Sequence, residues 1–185
     1  MGVDEESRFR YGFTMAETAV VVLLPELEPL IGSWRRRYTG DGARGMPPHV
    51  TLIIPFADSA DLDDRLGPLA RELGGFAPFD VAVSETARFP GLLYLRPEPE
   101  EPFIAMTNAL ESAFPAFPPY AGAFDEIVPH VTVAETDDEV LAAIERELVS
   151  QLPVRARVER GWLVENTPAG WRRHTAFPLD RRKDV

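Results

Sequence analysis

The chain contains no cysteine, which excludes disulfides, thiolate-bound zinc and cysteine nucleophiles together and fits a reducing cytoplasm. Long hydrophobic runs are missing too. The longest, residues 19–24, is far short of the roughly 20 residues that span a bilayer. No basic stretch precedes it, so neither a signal peptide nor a membrane partner is expected, and the expected location is the cytoplasm. Positive charge is scarce: 19 Lys and Arg against 30 Asp and Glu leave a formal charge of −11. Such a balance repels nucleic-acid backbones and disfavours a large RNA as partner, while a small anionic substrate in a locally basic cleft stays possible. The chain offers no phosphate-cradling glycine loop and no metal-ligand cluster. Its acidic run at residues 58–64 lacks EF-hand spacing and suits a helix start, so no metal and no cofactor are expected. Among reactive side chains histidine is rare, with three in 185 residues.

What is present is an ordinary globular composition, 45% hydrophobic and 26% charged, enough for one domain or two small lobes sharing a core. Residues 1–15, with Asp4, Glu5 and Glu6, show no period and are expected to be an N-terminal tail. Residues 16–185 are expected to form a single bilobal domain. The apolar run at 17–24 predicts a buried strand, ended by Pro25, which suits the first turn of a helix to about residue 37. A glycine-rich loop through Gly45 leads to a strand over 49–56. Next comes a helix capped by Ser59, kinked at Pro68 and ended by Gly74 and Gly75. The second half opens with strands over 79–87 and 92–96, turned at Pro90-Gly91. Then the earlier order returns: a helix over 102–114, a proline-rich loop through Pro119, a strand over 130–134 and a helix over 137–151. Residues 154–164 and 171–179 predict a terminal hairpin around 166–170. The predicted fold class is α+β and bilobal: two pseudo-symmetric antiparallel sheets, each covered by helices, with a central cleft.

One string recurs at equivalent places in this repeat, Pro48-His49-Val50-Thr51 and Pro129-His130-Val131-Thr132. Side chains alternate across a strand, so His49 and Thr51 share one face about 6.6 Å apart while Val50 and Leu52 face the other. His130 and Thr132 stand in the same relation to Val131 and Val133. A lone half-buried histidine on a strand is usually a hydrogen-bonded structural residue. Two copies at equivalent places call for another explanation, since a repeat of core packing needs no histidine. If the open faces meet across a cleft, the site holds two imidazoles and two hydroxyls, the inventory for in-line displacement at phosphorus. One neutral imidazole takes a proton from the attacking group, one imidazolium gives a proton to the leaving oxygen, and the threonine hydroxyls bind the non-bridging oxygens. Two imidazoles with ordinary pKa values near 6.5 predict a bell-shaped pH profile. Near-equivalence of the halves leaves the acid and base roles open.

These residues resemble the two-histidine (2H) phosphoesterase superfamily, which includes bacterial 2′-5′ RNA ligases and cyclic nucleotide phosphodiesterases. Its signature is a pair of H-x-T/S-x motifs, matched here by HVTL and HVTV, and the likeness runs through PPHVTLIIPF and VPHVTVAE over about residues 17–179. The resemblance implies a bilobal α+β fold and a substrate class of 2′,3′-cyclic phosphates, 2′-5′ linkages and related nucleotide phosphoesters. The expected protein is a monomeric, metal-independent phosphoesterase. It hydrolyses or reversibly transfers a small RNA-derived phosphodiester, with His49 and His130 catalytic and Thr51 and Thr132 binding phosphate. A 2′-5′ RNA ligase acting on tRNA halves and a non-catalytic nucleotide-binding module are the alternatives.

Arg44, in the loop before His49, is a further candidate for substrate contact, as are Arg88, Arg172 and Arg173 near strand ends. Phe89, Tyr120 and Trp171 are candidates for stacking on a base. For each of these an ordinary surface or packing role is the default. His174 lacks a threonine at the required spacing and is expected to be structural or at the surface.

Overall fold

β-Branched residues dominate the first strand, β1 (Thr18–Leu23), where restricted χ1 rotamers favour an extended backbone. The computed structural model describes residues 18–123 and 126–180, so the expected tail and Glu17 lie outside the described residues. Pro25 closes β1 and opens a 3₁₀ turn (Pro25–Leu27), followed by helix α1 (Glu28–Tyr38). Leu27, Ile31 and Arg35, four residues apart, are all buried on one stripe. The expected glycine loop contains a short helix, α2 (Gly40–Ala43), whose first turn is capped by the Thr39 hydroxyl accepting from the Gly42 amide. At Gly42 a Cβ would stand 2.6 Å from the Arg35 carbonyl, so glycine lets α2 pack directly on the end of α1.

Strand β2 (His49–Ile53) leads through a 3₁₀ turn (Ser59–Asp61) to helix α3 (Asp63–Gly74). Ser59 does not cap it as expected: α3 begins at Asp63 without a side-chain cap, and the Ser59 hydroxyl bonds Glu165 instead. α3 runs unbroken through Pro68. Strands β3 (Phe79–Phe89) and β4 (Leu92–Glu98) make the predicted hairpin, with Gly91 at φ 72° in its turn. Helix α4 (Glu101–Ala113), strand β5 (Val131–Glu135) and helix α5 (Asp138–Val149) then repeat the plan of the first half. β6 (Val154–Val158), β7 (Arg160–Thr167) and β8 (Gly170–Pro178) close the chain.

The strands form two four-stranded antiparallel sheets, ordered β2-β1-β7-β8 and β5-β4-β3-β6. This is the α+β architecture the repeat predicts, with each histidine strand at a sheet edge. The single strand predicted over 154–164 is in fact two. β6 pairs with β3 in one sheet, while β7 pairs with β1 in the other. Side-chain phase gives the reason: Val154, Ala156 and Val158 face the core, but in β7 the core residue is Leu163. That half-period slip cannot occur within one regular strand. Gly161 seats α3 on β7, because a Cβ there would meet Leu73 Cδ1 at 2.8 Å.

The helices exchange partners between halves. α1 packs on β5 and α4 packs on β2, and β2 and β5 lie beside each other. A single core therefore runs through both sheets, including Val50, Leu52, Val131 and Val133, all 0–1% exposed. Burying each such side chain contributes about 1.5–3 kcal/mol. These four residues hold the two histidine motifs against the core with their other faces outward. Among the described residues no helix is long and apolar enough to cross a membrane.

Candidate active site

His49 opens β2, and His130 stands one residue ahead of β5. Each ring is fixed by the same local device. His49 Nδ1 lies 2.8 Å from the Pro47 carbonyl, and His130 Nδ1 lies 2.7 Å from the Val128 carbonyl, two residues upstream in both cases. A carbonyl can only accept, so Nδ1 carries the hydrogen and, in the neutral ring, Nε2 is left as the acceptor. The rings are close enough that a charge on His130 disfavours one on His49. Both are partly exposed, being neither buried nor fully open. His49 keeps 11% of its side-chain surface.

Around His49 the environment is charged. Arg35 is 1% exposed and forks between elements: Nη1 donates to the Thr132 carbonyl at 2.6 Å and Nη2 to Asp41 Oδ2 at 2.7 Å. Asp41 Oδ2 lies 3.8 Å from His49 Nε2, and Oδ1 accepts from the Thr39 hydroxyl at 2.6 Å and the Gly42 amide at 2.7 Å. Burial works against the Asp41 carboxylate, yet Arg35, His49 and Thr39 outweigh it and hold its pKa below the usual range. Burial and the Arg35 cation lower the His49 pKa to about 4, against the pull of Asp41 and the Pro47 carbonyl. The ordinary value near 6.5 expected from sequence does not apply to this ring. Glu135, at the end of β5, is pushed up to about 7 by burial and by Asp41, with Arg35 opposing.

Around His130 the environment is aromatic. Phe89 and Tyr94 meet its ring edge-on, with centroids at 5.5 and 5.6 Å, and Tyr120 stacks on it at 6.3 Å. Burial lowers its pKa, partly offset by the Val128 carbonyl. The Tyr120 hydroxyl is hydrogen-bonded to that of Thr51, so this residue touches both motifs, and burial raises its own pKa to about 12. Tyr120 and Ala121 both hold left-handed backbone, at φ 52° and 53°, a conformation that costs a non-glycine residue about 1 kcal/mol or more.

The other sequence candidates are placed as follows. Trp171 is half-buried with Trp162 against Ala19, Val21, Met46 and Val164. Val21 pairs with Thr51, so this cluster shares the face of the first motif. Arg173 lies over the Trp162 ring at 5.3 Å. The exposed Arg44 guanidinium bonds Asn166 Oδ1 at 2.9 Å and the Thr167 carbonyl at 2.6 Å, tying its loop to the β7–β8 turn. Arg88 pairs with Glu145 on α5 at 2.6 Å, and Arg172 pairs with Glu165. His174 is exposed and bonds Thr175. Sequence reasoning missed Arg35, Asp41 and Glu135. For Arg35 a signal existed: it falls on the apolar stripe of α1, where an arginine needs buried partners.

Among the described residues no group of three or more His, Asp and Glu side chains gathers as a metal site would require. Depressions of about 520 Å³ around Asp80 and Arg157 and about 360 Å³ around Trp34 and Val140 lie away from the histidines.

Two antiparallel sheets carrying paired HxT strands define a fold of the kind found in 2H phosphoesterases and 2′-5′ RNA ligase-like proteins. The chain belongs to the 2′-5′ RNA ligase superfamily, whose family model matches residues 23–169. Its structure is similar to that of TT0787 of Thermus thermophilus, with TM-score 0.59 and 22% identity over 89% of this chain and 98% of that one. It is also similar to E. coli LigT complexed with 3′-AMP, with TM-score 0.56 and 18% identity over 89% and 98% of the two chains. At these identities the likeness speaks for the fold. No curated protein sequence matches the chain significantly.

Proposed function

We propose that this chain is a metal-independent phosphoesterase that hydrolyses, or reversibly transfers, a small RNA-derived phosphodiester such as a 2′,3′-cyclic phosphate or a 2′-5′-linked nucleotide. The observation that carries this reading is the matched anchoring of His49 and His130. Two neighbouring imidazoles are each pinned at Nδ1 by the carbonyl two residues upstream, leaving Nε2 for proton transfer. One Nε2 takes a proton from the attacking water or hydroxyl, and the other gives one to the leaving oxygen. Thr51 and Thr132 donate to the non-bridging oxygens. Tyr120 and Trp171 supply aromatic surface beside the motifs, suited to stacking on a base. LigT of E. coli has been crystallised with 3′-AMP, ATP, NADP+ and phosphate, which supports small nucleotide ligands for this chain too. Its charge of −11 weighs against a ligase that grips tRNA halves. The enzyme is expected to work as a cytoplasmic monomer.

The test is turnover of 2′,3′-cyclic nucleotides and 2′-5′-linked dinucleotides, with product analysis, for the wild type and for His49→Ala and His130→Ala. Activity that survives EDTA and depends on both histidines is the expected result. Loss in EDTA with rescue by a divalent ion, or full activity in either variant, contradicts the proposal.

A further inference from the structure

The two HVT motifs are alike in sequence and in ring anchoring, yet among the described residues a charged bridge approaches only one of the two rings, that of His49. Arg35 projects from α1 into the seam between the edge strands β2 and β5. One arm of its guanidinium bonds the Thr132 carbonyl inside the second motif at 2.6 Å. The other bonds Asp41 Oδ2 at 2.7 Å, and that same oxygen is 3.8 Å from His49 Nε2. With the second Asp41 oxygen held by Thr39 and Gly42, the carboxylate cannot swing away without breaking its own loop. Arg35 is buried, and a buried arginine needs partners to offset its desolvation. Those it has include an edge-strand carbonyl, the carboxylate beside a histidine and, at 3.4 Å, the Met46 carbonyl.

Resting on the functional reading above, we propose that Arg35 and Asp41 are positioning residues that set the protonation of His49 and lock it in register with the strand carrying the second motif. Among the described residues, the charged and titratable groups that face His49 are Arg35 from α1, Asp41 from α2 and His130 ahead of β5, while Glu135 on β5 interacts with Arg35 and Asp41. Arg35 disfavours the imidazolium and Asp41 favours it. The two therefore act on His49 with opposite sign, and neither is among the groups that perturb His130. The pair makes two equivalent histidines unequal.

Titration of the three histidines by NMR in the intact protein tests this independently of turnover, with the exposed His174 as internal reference. Arg35→Met is expected to raise the His49 pKa by about one pH unit or more, and Asp41→Asn to lower it, the size expected of a charge within 4–6 Å. His130 should move far less. Should Arg35→Met fail to fold, Arg35→Lys is the second probe: it keeps the charge but loses the fork, so His49 should titrate as in the wild type while kcat falls about tenfold with KM little changed. Shifts of the same sign in Arg35→Met and Asp41→Asn, or equal movement of His130, overturn the proposal. So does an unmoved His49 in Asp41→Asn. If the titrations behave as expected but no phosphodiester is turned over by the wild type, the functional reading fails and the positioning pair stands.

Discussion

The two histidine motifs share a tetrapeptide and a ring anchor but differ in what surrounds them. The first is set among ions, Arg35 and Asp41; the second among the rings of Phe89, Tyr94 and Tyr120. A sequence repeat thus reproduces the strand, the alternation and the Nδ1 contact, because these depend on neighbours in the chain. It does not reproduce the electrostatics, which depend on helices exchanged between halves. In-line acid–base chemistry needs its two imidazoles in opposite protonation states, and unequal surroundings are one way to separate them.

The largest effect tests the pair itself. Replacing either histidine by alanine is expected to lower kcat/KM by roughly 10²–10⁴-fold, the usual range for losing a general acid or base. Each ring is partly exposed and held by one Nδ1–carbonyl bond, so stability in chemical denaturation should fall by only about 1 kcal/mol or less. A variant that loses stability but keeps turnover makes that histidine structural and breaks the comparison at its root.

The next effect is in the pH dependence of stability. The folded-state pKa of His49 lies at about 4, below the ordinary 6.5, so the unfolded chain binds more protons between those values. His49's contribution is therefore complete above pH 6.5 and is lost as pH falls toward 4, a swing of about 3 kcal/mol at most. Glu135 has the opposite sign. Its folded pKa, raised to about 7, means that its contribution is complete below the unfolded value near 4.5 and is lost as pH rises toward 7. The two slopes offset one another in the wild type, and single variants should expose each. Glu135→Gln, which mimics the protonated acid, should be more stable than the wild type at pH 8 by about 1–2 kcal/mol, after discounting for the partial exposure of the carboxyl. Equal stability of the two proteins at pH 8 would show that Glu135 is ordinarily ionised.

Local patterns made most of the fold legible. Alternation placed Val50, Leu52, Val131 and Val133 inward, and the order of elements in the two halves gave the paired sheets. The terminal strand was misread because its apolar content is continuous across Glu159 while its phase is not. The histidines were legible because a strand motif carries them. Asp41 was hidden in a glycine-rich loop whose short helix exists only by packing on α1, and Glu135 matters only through its approach to Asp41. Long-range electrostatics leave no periodic mark on a chain. Arg35 is the intermediate case, visible as a charge on an apolar stripe but with partners that only the folded chain reveals.

The smallest expected effect concerns an aromatic residue that touches both motifs. Tyr120 stacks on the His130 ring and shares a hydrogen bond with the Thr51 hydroxyl, on backbone held in the left-handed region. Tyr120→Phe keeps the stack and removes the bond. A net hydrogen bond contributes about 0.5–1.5 kcal/mol, so stability should fall by that amount or less. Freed from Tyr120, the Thr51 hydroxyl becomes available to a phosphoryl oxygen, and KM should stay level or fall slightly while kcat holds. Ala121→Gly relieves the backbone without touching either motif, and should stabilise the protein by about 0.4–1 kcal/mol with KM unchanged. Measured side by side, the two variants separate the phenol from the backbone that carries it. A rise in KM in Tyr120→Phe alone would mean that the phenol itself holds the substrate, joining the two motifs through the ligand and not only through Thr51.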